Sequence, residues 1–132
     1  MKILFICTGN TCRSPLAETL CRLMRPEMEA RSRGVAAFED NEASALAQDV
    51  AKEYGCDLSK HRAHKITQED MEWADAVYGL AEGHTQMLKV GFPAFADKIK
   101  DLPGGAIPDP FGGTLKDYYA CAAQLEEALA QI

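Results

Sequence analysis

Lys2-Ile3-Leu4-Phe5-Ile6 is an apolar run behind a single lysine, and it feeds directly into Cys7-Thr8-Gly9-Asn10-Thr11-Cys12-Arg13-Ser14-Pro15. No other stretch limits the possible folds as much. An apolar run without alternation suits a strand buried on both faces. The Thr-Gly-Asn turn ends it, and Ser14-Pro15 opens a helix, with Ser able to cap and Pro tolerated in the first turn. A doubly buried strand that turns at once into a helix is the first unit of a parallel sheet covered on both sides.

The rest of the chain repeats the alternation. Leu16, Leu20, Leu23 and Met24 give the first helix an apolar face until Pro26 stops it. Met28 to Gly34 reads as a second strand. Asn41 to Tyr54 reads as an amphipathic helix capped by Asn41, with Gly55 just past its end. Thr67-Gln68-Glu69-Asp70 begins a short helix with its acids where the helix dipole favours them. Asp75 to Leu80 is the third strand, Glu82 to Lys89 a helix, and Lys98 to Leu102 the fourth strand. Pro103 to Gly113 is a loop rich in Pro and Gly. Thr114 caps a last helix in which Leu115, Tyr118, Ala122, Leu125 and Leu129 share a face. The class is α/β, and residues 1–132 form a single domain without repeat or linker. In such sheets ligands bind beyond the carboxyl ends of the strands, near a switch point, so the loop after the first strand is the first place to look.

Charge narrows the partners. Fourteen Lys and Arg against 20 Asp and Glu leave a formal charge of −6. That argues against a sequence-independent grip on nucleic acid, which needs a basic surface. No apolar stretch approaches a membrane helix, and the N-terminal run is too short for a signal peptide. Cys7, Cys12, Cys21, Cys56 and Cys121 are an odd count without a C-x-x-C pair. Neither a disulfide scaffold nor a zinc site is expected, and the setting read from this is reducing and cytoplasmic.

The loop after the first strand carries the chemistry. Gly9 and Asn10 tolerate the backbone angles that turn successive N–H groups inward. With the positive end of the following helix, those donors make a nest for a phosphate-like anion. The same field favours a thiolate at Cys7. Arg13 adds a planar fork that holds two phosphate oxygens. A cysteine at a strand end is by itself ordinary packing, but strand, turn, arginine and helix start fall here in the order the chemistry requires. A thiolate attacking phosphorus needs its leaving group protonated. Asp109, held in Pro108-Asp109-Pro110-Phe111-Gly112-Gly113, is the candidate acid, with Ser14 placed to steady the departing thiolate in the second step.

These residues resemble the low-molecular-weight protein tyrosine phosphatases, through CTGNTCRSP near one end and DPFGG near the other. The resemblance covers nearly the whole chain. It implies a flavodoxin-like three-layer α/β/α sandwich whose four-stranded parallel sheet runs in the order 2-1-3-4. It implies Cys7 as nucleophile, Arg13 as phosphate binder and Asp109 as acid, with Thr8, Gly9, Asn10, Thr11, Cys12, Arg13 and Ser14 around the phosphate and no cofactor or metal. Ser32 and His61 match residues that support the loop through the asparagine corresponding to Asn10. Phe38 and Phe111 match the walls of the substrate slot. Cys12 matches a second loop cysteine that in relatives forms a reversible disulfide with the nucleophile. Spacing alone leaves blander roles open: His61 as a surface residue of the run from Lys60 to Lys65, Ser32 as a strand hydroxyl, and both phenylalanines as core. The chain departs from the pattern where Arg33 follows Ser32, where Leu80-Ala81 replaces a Met-Asp turn, and where Phe111-Gly112 replaces two tyrosines. The segment between Gly91 and Asp109 is short, which implies a reduced pocket rim.

Thr11 separates the possible substrates. Tyrosine phosphatases of this kind often carry a larger aliphatic residue there, whereas bacterial protein arginine phosphatases resemble this chain in the threonine and in DPFGG. The expectation is a monomeric, metal-independent phosphatase of phosphorylated proteins, with phosphoarginine ahead of phosphotyrosine. An arsenate reductase is a rival, although the segment from Ala81 to Val90 lacks the relay cysteines such enzymes need. A cysteine phosphocarrier is another, although it would need neither Arg13 nor Asp109.

Overall fold

Four strands, β1 (Lys2–Cys7), β2 (Glu29–Gly34), β3 (Ala76–Gly79) and β4 (Ile99–Asp101), pair in parallel in the order β2-β1-β3-β4. The computed structural model describes residues 1–132, the side chain of Glu82 apart. β1 is an inner strand, in register with β2 from Lys2↔Glu29 to Cys7↔Gly34 and with β3 from Ile3↔Ala76 to Ile6↔Gly79. Its continuous apolar run follows from that position, since every residue from Ile3 to Cys7 is buried. β2 lies at the edge and alternates buried with more open positions.

Successive side chains of β1 serve opposite layers. Ile3, Phe5 and Cys7 pack under α1 (Arg13–Met24), α2 (Ala45–Glu53) and α5 (Leu115–Leu129). Leu4 and Ile6 join Val77 and Ile99 under α3 (Gln68–Trp73), α4 (Glu82–Gly91) and a 3-10 turn over Pro93–Lys98. Each fully buried Leu, Ile or Phe of this kind contributes about 2 kcal/mol. The 3-10 turn between α4 and β4 was not expected from the sequence.

Helix boundaries correct several expectations. α1 starts at Arg13 with Cys12 at its N-cap, so Ser14 lies inside the first turn and caps nothing. The core follows the i, i+4 row Leu16, Leu20 and Met24, and Leu23, one residue off that row, is more than half exposed. α2 begins at Ala45, four residues later than expected, because Glu42 pairs with Arg62 in a short bridge that holds its backbone extended. Its cap is Ser44, which accepts from Ala47 N–H, and not Asn41. Gly55, with φ of 77°, closes that helix as expected. Thr67 and Asp70 form a reciprocal capping box at α3. At α5 the expected Thr114 side-chain cap is replaced by Asp117, which accepts from the Thr114 N–H and hydroxyl while its own N–H bonds the Thr114 carbonyl. On α5, Tyr118, Ala122, Leu125 and Leu129 are buried, whereas Leu115 at the first turn is exposed. Among the described residues no helix is long and apolar enough to cross a membrane.

Candidate active site

The chain leaves β1 at Cys7 and wraps through Thr8–Cys12 onto the start of α1, at the carboxyl end of the sheet beside the β2-β1-β3 switch. The backbone N–H groups of Thr8 to Cys12 donate to no acceptor among the described residues. Free backbone donors ringed at a helix start form a receptor for an anion.

Asn10 is the knot of this loop. Its φ of 57° lies in the left-handed region, where Asn is among the few side chains tolerated. Its amide donates to Ser14 Oγ at 2.8 Å and to Ser32 Oγ at 3.0 Å, and its Oδ1 accepts from His64 N–H at 3.0 Å. His61 Nε2 meets the Asn10 carbonyl at 2.7 Å, which makes that nitrogen the donor. Burial pushes the His61 ring below the ordinary histidine range, so it works as a neutral donor. Each of these buried groups would cost about 1–3 kcal/mol if left unpaired. Around the knot, Val35 N–H and Ala36 N–H bind the carbonyls of Cys7 and Thr8, and Ser44 N–H binds that of Thr11. Gly34 leaves the loop its room, since a Cβ there would lie 2.5 Å from the Thr8 carbonyl oxygen.

Cys7 Sγ stands 2.9 Å from Ser14 Oγ. Ser14 accepts from Asn10, and its own proton faces the sulfur and, at 3.4 Å, the Arg33 carbonyl. Arg13 is buried, with Nη1 donating to the Ile107 carbonyl at 3.1 Å and Nη2 3.6 Å from Asp109 Oδ2. Asp109 is half exposed, and its Oδ1 accepts from Phe111 N–H at 3.0 Å. Cys7, Thr8, Gly9, Thr11, Cys12 and Arg13 floor a cleft of about 360 Å³ whose sides include Phe38, Asn41, Asp109 and Phe111. Phe38 and Phe111 are 76% and 73% exposed, so the core role that spacing left open for them does not hold. Cys12 Sγ is buried between Ser44 Oγ at 3.4 Å and Tyr118 Oη at 3.3 Å. Burial, and then the bond to Cys12, push the Tyr118 hydroxyl up to about 12.

Sequence reading missed three features. Arg33 turns away from the cleft, with Nε bonded to Asp70 Oδ2 at 3.1 Å and Nη1 to the Ser32 carbonyl at 2.7 Å. Tyr118 and Ser44, by sequence a helix-face residue and part of a helix, both meet Cys12. His84, from α4, bonds Thr8 Oγ1 through Nε2 at 3.0 Å and had no motif to mark it. No sequence signal could have found it, because the alanine at the cap of α4 has no side chain with which His84 could form a capping box. Among the described residues no group of three His, Cys, Asp or Glu side chains could hold a metal ion.

Residues 2–132 match the family described as low molecular weight phosphotyrosine protein phosphatase. A protein-arginine-phosphatase of Geobacillus stearothermophilus is 39% identical over 138 residues, spanning 99% of this chain and 93% of its own length. The low molecular weight protein-tyrosine-phosphatase PtpB of Staphylococcus aureus is 32% identical over 124 residues, spanning 89% of this chain and 86% of its own. A solved structure of the YwlE arginine phosphatase, a mutant with a phosphorylated active site serine, superposes with a TM-score of 0.94 at 35% identity. It covers 99% of this chain and 92% of that one.

Proposed function

The chain belongs to the low molecular weight phosphotyrosine protein phosphatase family, and on that premise we propose that Cys7 takes the phosphoryl group from phosphoarginine on proteins. The observation that carries this reading is the convergence of the Cys7 thiol, the Arg13 guanidinium and the Asp109 carboxyl on one cleft, over a ring of free backbone donors. In the first step the Cys7 thiolate forms a sulfur–phosphorus bond as the phosphorus–nitrogen bond breaks, and Asp109 passes its proton to the leaving nitrogen. In the second, Asp109 takes a proton from water, the new oxygen–phosphorus bond forms, and the sulfur leaves as a thiolate stabilised by the Ser14 hydroxyl. Arg13 and the loop amides hold the equatorial phosphoryl oxygens throughout, so most of the acceleration is positioning and charge stabilisation. A covalent phosphoenzyme has support in the related arginine phosphatase with its phosphorylated active site serine.

Thr11 decides the substrate. Its side chain lines the cleft, where a small hydroxyl residue leaves space and a polar contact for the guanidino group. Phosphotyrosine is the second reading, favoured by the open aromatic walls Phe38 and Phe111 and by the resemblance to PtpB. The deciding measurement is kcat/KM on matched phosphoarginine and phosphotyrosine peptides, with Cys7→Ser as the blank. Phosphoarginine should lead, and Thr11→Ile should shift the ratio toward phosphotyrosine. A wild-type preference for phosphotyrosine, or a ratio unmoved by Thr11→Ile, overturns the role of Thr11.

The domain 1–132 acts as a monomer in the cytoplasm, where a catalytic thiol stays reduced. Under peroxide, Cys7 becomes a sulfenic acid and the Cys12 thiol displaces water to form a disulfide that a thiol reductant reopens. Titration should then show two fewer thiols for each inactivated molecule. Retention of both thiols in inactive enzyme rules this out.

A further inference from the structure

His84 is the third residue of α4 and is only 5% exposed. Its Nδ1 lies 3.1 Å from the Ala81 N–H, at the start of the same helix, and can only accept there. Nε2 therefore carries the proton and donates to Thr8 Oγ1 at 3.0 Å. The ring is held from behind. Thr85 Oγ1 donates to Asp101 Oδ1 at 2.6 Å, and α4 approaches β3 so closely that a Cβ at Gly79 would lie 2.4 Å from Thr85 Oγ1. Thr8 in turn lines the cleft beside Cys7. With the His84 proton directed at its oxygen, the Thr8 hydroxyl proton has no acceptor among the described residues.

We propose that His84 is a positioning residue: its Nε2–H fixes the rotor of the Thr8 hydroxyl so that the Thr8 proton points at a phosphoryl oxygen bound over the loop. The loop amides then share the anion with one side-chain donor set in advance from another layer of the fold. This rests on the phosphatase reading of the same cleft. Burial, and then the charge of Arg13, push the His84 ring down to about 4, so a single tautomer persists across the range in which a phosphatase works. Direct general acid or base work by His84 does not fit, because both ring nitrogens are already committed to protein groups.

A double-mutant cycle tests the coupling. His84→Ala, Thr8→Val and the double variant are compared with wild type in kcat/KM on p-nitrophenyl phosphate and in the inhibition constant of inorganic phosphate. Each single change should weaken both by about tenfold, the scale of one hydrogen bond to a charged group, and the double variant should be no worse than either. His84→Gln, which keeps an N–H donor, should recover part of the loss. Losses that multiply in the double variant overturn the proposal, as does wild-type behaviour of Thr8→Val. If His84→Ala does not fold, Thr8→Val and His84→Gln still decide, because the first must lose phosphate affinity and the second must retain more of it. Wild-type protein that neither turns over p-nitrophenyl phosphate nor binds phosphate overturns the phosphatase reading and this one together. An active wild type with uncoupled variants overturns this one alone.

Discussion

The Ser14 hydroxyl, in the first turn of α1, stands 2.9 Å from the Cys7 thiol at the end of β1. The two residues bracket the loop, and Asn10 between them donates to the same hydroxyl. Ser14 thus accepts from Asn10 and can turn its proton to the sulfur, with the Arg33 carbonyl, at 3.4 Å, the more distant acceptor. In the proposed reaction that proton matters most when the sulfur leaves as an anion. Ser14→Ala should lower kcat by about ten- to a hundredfold, the worth of one hydrogen bond to a charged group. Phosphocysteine should accumulate, seen as a burst of p-nitrophenol before the slow steady state. Absence of a burst would move the role of Ser14 to the first step.

Asp109 faces Arg13 across the mouth of the cleft at 3.6 Å and is free enough to meet a leaving group. Asp109→Asn should cost roughly 10²–10⁴-fold in kcat, the usual range for a general acid. The loss should be largest for leaving groups that are poor without a proton, so an alkyl phosphate should suffer more than p-nitrophenyl phosphate. Equal losses on both would mean that Asp109 orients Arg13 and transfers no proton.

Gly34 touches no substrate, yet the loop is built against it. An added methyl would meet the Thr8 carbonyl at 2.5 Å and the Asn10 nitrogen at 3.0 Å, both of them backbone. Gly34→Ala should destabilise the fold by about 1–3 kcal/mol in urea unfolding, as overpacking does. It should also lower kcat by about a hundredfold, since a shift of about 1 Å in a catalytic loop is that costly. Wild-type turnover in this variant would show that the loop relaxes without moving its donors.

His61 and His84 are both held below the ordinary histidine range, His84 down to about 4. As the pH falls below about 6.5 the unfolded chain protonates both rings while the folded protein resists. The unfolded state then binds more protons, so stability decreases with falling pH and the His84 share levels off near 4. The urea midpoint should fall between pH 7 and pH 5, and His84→Gln should show a shallower fall. A midpoint that stays level over that window in wild type would mean that neither ring is buried neutral.

Much of this protein was legible in the chain because the relevant physics is local. An unbroken apolar run marks an inner strand, and alternating periods mark helices over a parallel sheet. A glycine-bearing turn between strand and helix puts Cys7, Arg13 and the loop amides around one point whatever the rest of the fold does. Helix starts were less secure. The cap of α2 fell at Ser44 and not Asn41 because a bridge between Glu42 and Arg62, twenty residues apart, took the intervening backbone. The family resemblance pointed to Ser32 and His61 as partners of Asn10, and both meet it. Tertiary structure alone decided that Asn10 also meets His64, and that Thr8 meets His84, which lies 76 residues away. It also turned Arg33 onto Asp70 and left Phe38 and Phe111 facing solvent. Hydrophobic periodicity records which face of an element is buried. A polar side chain leaves no such record of its partner, because the partner is chosen by strand order and layer, after distant segments have packed.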